Sequence, residues 1–281
     1  MTGPACLRSV RAAASARTDE DQYGRVTTRL VALGDSTVEG LMDPGPDDTY
    51  VGWADRFAHH LAVREPGLLY ANLGVRGQTA HQVRASQLDR ALAMQPDIAL
   101  LVAGVNDVLR PRFDKAVVRD DLLTMFRALR DTGARVLTFT MPDMTRVAPL
   151  AFALRPRLEH LNDIVREAGR RYDVQVVDLA AEPLAGHPAL WDDDRLHANS
   201  EGHRRIALAL AEQVGLPVDD WRTSPGETAA QGRLRIVTRE ASWLATHFVP
   251  WAWGRLLRHE FATQGRCKRP ELTPLDPRLA G

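Results

Sequence analysis

The amino-acid sequence predicts an α/β protein, a three-layer α/β/α sandwich around a five-stranded parallel sheet. Five short apolar runs alternate with helical patterns between residues 29 and 216. The runs are apolar on both faces, which is typical of strands that helices cover on each side. Because each strand is joined to the next through a helix, the strands are expected to be parallel with right-handed crossovers.

Each predicted element rests on its apolar pattern. The runs are too short for helices and read as strands, whereas the segments between them repeat apolar residues at helical spacing. In a parallel sheet of this kind the binding crevice lies at the carboxyl ends of the strands. The predicted strands are residues 30–33, 69–73, 98–102, 136–140 and 174–179, and the predicted helices are 53–63, 80–94, 117–131, 157–172 and 200–214.

The chain divides into three parts. Residues 1–27 lack clear periodicity and are expected to be a mobile arm, and residues 28–218 form the sandwich. Residues 219–281 are expected to be a linker followed by a helical extension, with a helix near 234–248 that ends at Pro250. This extension is expected to pack on the sandwich. The alternatives are a substrate lid or a peripheral contact with a membrane surface.

Charge and composition exclude several classes of protein. Thirty-six basic residues balance 36 acidic ones, so no net field attracts nucleic acid. Lysine occurs only at Lys115 and Lys268, and neither follows the glycine-rich turn of a P-loop nucleotide site. The longest apolar run, residues 98–105, is far shorter than the roughly 18 residues of a transmembrane helix.

The cysteines indicate the compartment. Cys6 and Cys267 lie near opposite ends of the chain without a zinc-like spacing, and both are expected to be free thiols. The first residues also lack the leucine-rich stretch of a secretory signal. A cytoplasmic protein is therefore expected.

Polar residues appear where four apolar segments end or a helix begins. Gly-Asp-Ser-Thr follows the first strand and carries Ser36, Asn-Leu-Gly ends at Gly74, and Gly-Val-Asn-Asp carries Asn106. Asp-Arg-Leu-His precedes the last sandwich helix and ends at His197. Taken singly, Ser36 fits a helix cap and Gly74 and Asn106 fit turns. Only the conjunction of all four at one sheet edge indicates a catalytic site.

In this order the four segments resemble the SGNH/GDSL hydrolase family. The resemblance covers roughly residues 29–216 and implies the flavodoxin-like SGNH hydrolase fold. Two positions depart from the family's pattern: Thr37 stands where leucine is usual, and Ala198 follows His197 where proline is common. Neither position supplies a reacting group, so the departures concern the shape of the pocket.

The chemistry of ester cleavage needs these residue types. A serine hydroxyl such as Ser36 is a weak nucleophile until a base takes its proton, and His197 can be that base. Asp194, three residues earlier, can fix the tautomer of the imidazole and stabilise its cation. The resemblance implies that the backbone N–H groups of Ser36 and Gly74 and the side-chain amide of Asn106 form the oxyanion hole.

The remaining acidic residues near these segments are assigned supporting roles. Asp35 and Asp107 are expected to brace their turns through local hydrogen bonds. Asp192 and Asp193 are expected to lie in a solvated loop, with a divalent cation site as the alternative. No cofactor and no metal ion is expected.

The sequence therefore predicts a serine esterase acting on a small-molecule carboxylic ester. The ester would be an acetylated sugar, a short-chain ester or a lysophospholipid. One alternative is an acyltransferase with the same triad, in which an alcohol replaces water. The other is a non-catalytic α/β domain that binds a small molecule.

Overall fold

The computed structural model describes residues 27–46, 49–225 and 267–275. Most of the expected N-terminal arm and the helix expected near residues 234–248 lie outside the described residues. Within them, α-helices and strands alternate along the chain as the apolar pattern predicts. The strands are β1 Arg29–Gly34, β2 Leu69–Asn72, β3 Ile98–Val102, β4 Arg135–Phe139, β5 Gln175–Val177 and β6 Arg269–Pro274.

Seven α-helices occupy the described part of the chain. Two of them, α1 and α4, are single turns at the ends of strands, and the other five cover the sheet. Short 3-10 turns link the later elements. The helices are α1 Ser36–Glu39, α2 Gly52–Arg64, α3 Ala80–Ala93, α4 Val105–Val108, α5 Lys115–Asp131, α6 Arg155–Tyr172 and α7 Ser200–Gln213; the 3-10 turns are Met144–Arg146, Pro149–Leu154, Leu179–Ala181, Pro183–Gly186 and Pro188–Leu190.

The sheet separates two hydrophobic cores. In β1, Leu30 and Ala32 join the core beneath α2 and α7, whereas Val31 and Leu33 join the core beneath α3, α5 and α6. This alternation follows from the two-residue repeat of a strand. Because both faces are buried, β1 reads in the sequence as a continuous apolar run, and the predicted three-layer architecture is confirmed.

The strand order is β5-β4-β3-β1-β2-β6, and β1 to β5 are parallel. The chain moves from β1 to β2 on one side and then returns to place β3 on the other side of β1. The connections that leave β1 and β3 therefore diverge, which opens a crevice at their carboxyl ends. Ser36 and Asn106 follow these two strands at that crevice.

The sheet has six strands where the sequence predicts five. The additional strand, β6, pairs antiparallel with β2 at the edge of the sheet. It lies in the segment expected to be a linker and a helical extension. Its sequence is polar and contains proline, and its residues are at least partly exposed, as is common for a strand at a sheet edge. It therefore has no hydrophobic periodicity by which the sequence could reveal it.

Lys268, next to β6, anchors the returning chain. Its ammonium group lies 2.9 Å from Asp55 Oδ2 and donates to the carbonyls of Tyr50 and Val51 just before α2. Burial lowers the pKa of Lys268, an effect that Asp55 opposes. Within the described residues no helix is long and apolar enough to span a membrane.

We expect Lys268→Met to lower the free energy of unfolding by about 1–3 kcal/mol, because three acceptors lose a buried charged donor. The only other lysine of the chain, Lys115, is exposed at the start of α5, so Lys115→Met is the matched control. Urea denaturation of both variants measures the difference. Equal stability of the two variants would show that the anchor contributes nothing.

Candidate active site

Ser36 lies in the turn that joins β1 to α1. Asp35 caps this helix: its Oδ1 accepts hydrogen bonds from the Thr37 N–H and the Thr37 hydroxyl, both at 3.0 Å. Gly34 must be glycine, because a Cβ there would lie 2.1 Å from the Val102 carbonyl oxygen of β3. The tight contact between β1 and β3 and the cap together fix the position of the Ser36 side chain.

A hydrogen-bonded chain links Ser36 to His197 and Asp194. Ser36 Oγ lies 2.8 Å from His197 Nε2, and His197 Nδ1 lies 2.6 Å from Asp194 Oδ2. The sequence separation between Ser36 and His197 is 161 residues, so the fold alone brings them together. In this arrangement a proton can pass from the hydroxyl to the imidazole while the carboxylate holds the other ring nitrogen.

The loop that carries Asp194 and His197 is shaped by backbone hydrogen bonds. Asp192 N–H donates to the His197 carbonyl, and Arg195, which has a left-handed φ of 58°, donates its N–H to the Asp192 carbonyl. Asp194 Oδ1 accepts the N–H groups of Leu196 and His197, each at 2.9 Å. Asp194 therefore faces the histidine ring with one oxygen and the backbone of the loop with the other.

The pKa of Asp194 reflects this environment. Burial favours the protonated carboxyl, but the hydrogen bonds from the His197 ring and from the loop backbone outweigh burial and lower the pKa. The neighbouring acids have other surroundings, since Asp193 is exposed and Asp192 accepts the N–H of Asp193. Among the described residues no group of three or more His, Cys, Asp or Glu side chains is placed to hold a metal ion.

Asn106 lies in α4, beside the Ser36 turn. Its amide Nδ2 donates to the Gln78 carbonyl at 3.0 Å and to Asp35 Oδ2 at 3.2 Å. Asp107 Oδ2 accepts the Ala80 N–H at 2.8 Å, at the start of α3. These contacts join the ends of β1 and β3 to the loop between β2 and α3; Asp35 bonds within its own turn, whereas Asp107 bonds to the start of α3.

Asp35 is a fully buried carboxyl group. Burial raises its pKa to about 6, and the hydrogen bonds from Thr37 only partly oppose this effect. Burial also raises the pKa of Asp107, while the hydrogen bond from the Ala80 N–H lowers it. Burial at the crevice therefore disfavours the charged forms of both Asp35 and Asp107.

Gly74 does not direct its N–H into the crevice as the resemblance implies. That N–H is buried and donates to Asn72 Oδ1 at 3.0 Å. A glycine is nevertheless needed at position 74, because a Cβ would lie 2.7 Å from the Glu39 backbone nitrogen. The close packing of this loop on the end of α1, and not an open N–H, accounts for the residue.

Gly77, which no motif in the sequence singled out, has an N–H available for a ligand. Across residues 73–79 the other backbone N–H groups all donate to acceptors within the protein. The N–H groups of Gly77 and Ser36 have no acceptor among the residues that the structure describes. Gly77 has a left-handed φ of 78° and precedes Gln78, whose carbonyl accepts the Asn106 amide. The left-handed conformation is the signal that separates it from Gly74.

Gln87 of α3 is a second residue that the sequence pattern did not reveal. Its side chain is buried, accepts the Gly34 N–H at 2.9 Å and donates to the Gly34 carbonyl at 2.8 Å. The same amide donates to Gln78 Oε1 at 2.7 Å. Gln87 thereby pairs both backbone groups of Gly34 just before Ser36.

An apolar cavity of ≈ 90 Å³ adjoins His197. It extends between the sheet and α7, beneath the loop that carries the histidine. Carbon atoms form almost the whole lining. Trp53, Phe139, Ile206 and Trp221 contribute large apolar side chains to it.

Comparison with known proteins identifies a family. A family model described as the GDSL-like Lipase/Acylhydrolase family matches residues 32–205. This match includes the Ser36 turn, Asn106 and His197, and it ends before Trp221 and β6. A search of the curated proteins finds no match.

Solved structures share the fold at low sequence identity. LAE5, an α/β hydrolase from the metagenome of Lake Arreo, Spain, is 23% identical with a TM-score of 0.57, over 69% of this chain and 99% of its own. A variant of Axe2, an acetyl xylan esterase from Geobacillus stearothermophilus, is 17% identical with a TM-score of 0.57, over 69% and 99%. The lipase/acylhydrolase from Enterococcus faecalis is 22% identical with a TM-score of 0.53, over 67% and 95%.

We expect Gln87→Leu to lower the free energy of unfolding by about 1–3 kcal/mol, because it leaves the buried Gly34 N–H unpaired and removes one of the two donors to the Gly34 carbonyl, the other being the Val75 N–H. Gln213→Leu, on the exposed end of α7, is the control and should change stability little. Chemical denaturation compares the two variants. If Gln87→Leu is as stable as the control, the pairing with Gly34 contributes no stability.

The raised pKa of Asp35 predicts how stability depends on pH. Native Asp35 keeps its proton up to about pH 6, whereas an unfolded aspartate, with a pKa of 3.8, has already released it. The Asp35 contribution to the free energy of unfolding therefore falls as pH rises from about 4 to about 6, by up to about 3 kcal/mol. Denaturation of wild type and Asp35→Asn across this range measures the effect. A difference between them that is constant with pH would contradict it.

Proposed function

The chain belongs to the GDSL-like lipase/acylhydrolase family, whose members hydrolyse esters, and we propose that it is a serine esterase with Ser36 as nucleophile, His197 as general base and Asp194 as orienting acid. The observation that carries this proposal is the continuous hydrogen-bonded chain from the Ser36 hydroxyl to the Asp194 carboxylate. Both links are within the range of a direct proton transfer.

The reaction follows from these contacts. As Ser36 Oγ attacks the ester carbonyl, its proton passes to His197 Nε2, and Asp194 stabilises the imidazolium through Nδ1. The imidazolium then protonates the departing alkoxide, which leaves an acyl group on Ser36. A water molecule, activated by the same imidazole, attacks the acyl group and releases the carboxylic acid.

The oxyanion of each tetrahedral intermediate needs donors that are already in place. We assign this role to the N–H groups of Ser36 and Gly77 and to the side-chain amide of Asn106. The hydrogen bond from Asn106 to Gln78 orients the amide, while the one to the buried Asp35 can be exchanged for the oxyanion. Gly74 has a structural part in this scheme, because its N–H is held by Asn72.

The substrate class that fits the site is a small carboxylic ester. An acetylated sugar, a short-chain ester and a lysophospholipid all present the carbonyl that Ser36 attacks. The apolar cavity beside His197 is suited to the acyl portion of such an ester. Axe2 is a different protein at 17% identity, so its acetyl xylan esterase activity does not select among these substrates.

We expect Ser36→Ala to abolish hydrolysis of p-nitrophenyl esters and labelling by a fluorophosphonate probe. The free energy of unfolding should change by less than about 1 kcal/mol, because the hydroxyl is not part of the packed core. Ser86→Ala, on the exposed side of α3, is the matched control and should be labelled like wild type. Labelling of Ser36→Ala would refute the assignment of the nucleophile.

Asp194→Asn should lower kcat by a factor of roughly 10² to 10⁴, because an amide can hold His197 in the wrong tautomer. The loop offers two matched controls, Asp192→Asn and Asp193→Asn, which should each lower kcat by less than about tenfold since neither carboxylate contacts the ring. Steady-state kinetics on one ester compares the three variants. A larger loss with Asp193→Asn would show that the orienting acid has been assigned to the wrong residue.

A further inference from the structure

The apolar cavity beside His197 lies within the fold, close to the proposed nucleophile Ser36. Its walls come from α2, β4 and α7 and from the segment after α7, and Trp53, Phe139, Ile206 and Trp221 all line it. Thr37 and His197 also line it, so the cavity reaches the residue after Ser36 and the imidazole that Ser36 contacts. An acyl group attached to Ser36 therefore has this cavity beside it.

We propose that this cavity binds the acyl chain of the ester and makes the enzyme selective for medium-length acyl chains of about six to eight carbons. The inference rests on the proposed function and specifies its substrate class. It favours an aliphatic acyl ester over an acetylated sugar, whose acyl group would leave most of the cavity unfilled.

The volume sets the chain length. The cavity measures ≈ 90 Å³. About 15 Å³ of such space holds one water molecule, and a methylene group is of similar size, so the cavity accepts about six carbons beyond the carbonyl, a number that hexanoyl and octanoyl chains bracket. An acetyl group would fill only a small part of it, and a palmitoyl chain would exceed it.

Most polar groups at the cavity wall already bond within the protein, and the exception is the Trp53 indole N–H, which is buried with no acceptor among the described residues. Both ring nitrogens of His203 are bonded, to the Trp53 N–H and to the Leu41 carbonyl, and burial lowers the pKa of His203 to about 4. Arg205 pairs with Glu201 at 2.7 Å and donates to the Trp221 carbonyl at 3.0 Å. A sugar carries several hydroxyl groups, and apart from the Trp53 indole N–H the lining offers them few partners, so most of them would lose water without a compensating hydrogen bond.

Trp221 lines the cavity from the segment after α7. Its indole N–H donates to Glu212, near the end of α7, at 2.9 Å. Arg222 stacks on the ring 4.0 Å from its centroid, and the Arg205 guanidinium holds the backbone. Trp221 lies beyond residues 32–205, which the family model matches, so this wall is a feature of this chain outside the shared part.

The test is a series of p-nitrophenyl esters from acetate to palmitate. For wild type we expect kcat/KM to rise by about three- to fourfold per added methylene up to hexanoate or octanoate, as each methylene leaves water, and then to fall. Ala185→Phe, at the cavity wall, should lower kcat/KM for octanoate at least about tenfold and change acetate by less than about twofold. Ala181→Phe, exposed and outside the cavity, should keep the wild-type profile.

A second variant extends the cavity. Trp221→Leu should move the optimum to longer esters, by about two carbons or more, and circular dichroism checks that it folds. If this variant does not fold, the wild-type profile together with Ala185→Phe decides the matter alone.

The outcomes separate the two proposals. A wild-type enzyme that prefers acetate, or an Ala185→Phe variant that loses acetate and octanoate equally, overturns the selectivity while Ser36 is still labelled by the fluorophosphonate. No hydrolysis of any ester together with no labelling overturns the proposed function and the selectivity with it. A rising wild-type profile that Ala185→Phe truncates supports both.

Discussion

The turn that ends β1 must bury several backbone polar groups without leaving them unpaired. Burying an unpaired N–H or carbonyl costs about 1–3 kcal/mol, so each group at this turn needs a partner from elsewhere in the fold. Gln87 pairs both groups of Gly34, and Asp35 pairs Thr37. The Ser36 N–H has no acceptor among the described residues, and it is the group that the proposed reaction uses.

The same requirement extends across the sheet to the returning chain. Lys268 pairs with Asp55, and the other oxygen of that carboxylate accepts the Tyr70 hydroxyl at 2.7 Å and the Asn72 amide at 3.3 Å. Asn72 in turn donates to the Val38 carbonyl of α1 and accepts the Gly74 N–H. Hydrogen bonds and an ion pair among four polar side chains thus connect the residue next to β6 with the helix that begins with Ser36.

The features that the sequence could predict are those with a local or periodic signal. Buried parallel strands appear as apolar runs, and the polar residues after them, Ser36 and Asn106, lie at the crevice because carboxyl ends of parallel strands converge. Asp194 and His197 are three residues apart, so a short loop can join them. In contrast, β6 is polar and distant in sequence from its partner, and Gln87 looks in the sequence like any other helical glutamine. The roles of β6 and Gln87 depend on long-range contacts, which produce no periodic pattern in the sequence.

Gly74 and Gly77 show that residue type alone does not identify which glycine offers an N–H to a ligand. Both are glycines in one loop, and a preference for glycine has two separate physical causes: a close approach of backbones or a left-handed φ. At Gly74 the cause is the close approach to α1, which buries the N–H. At Gly77 it is the φ of 78°, and the N–H meets no acceptor among the described residues. Only the second arrangement leaves a donor for a ligand. The backbone conformation, which side chains do not encode directly, therefore decides which glycine has an N–H available to a ligand.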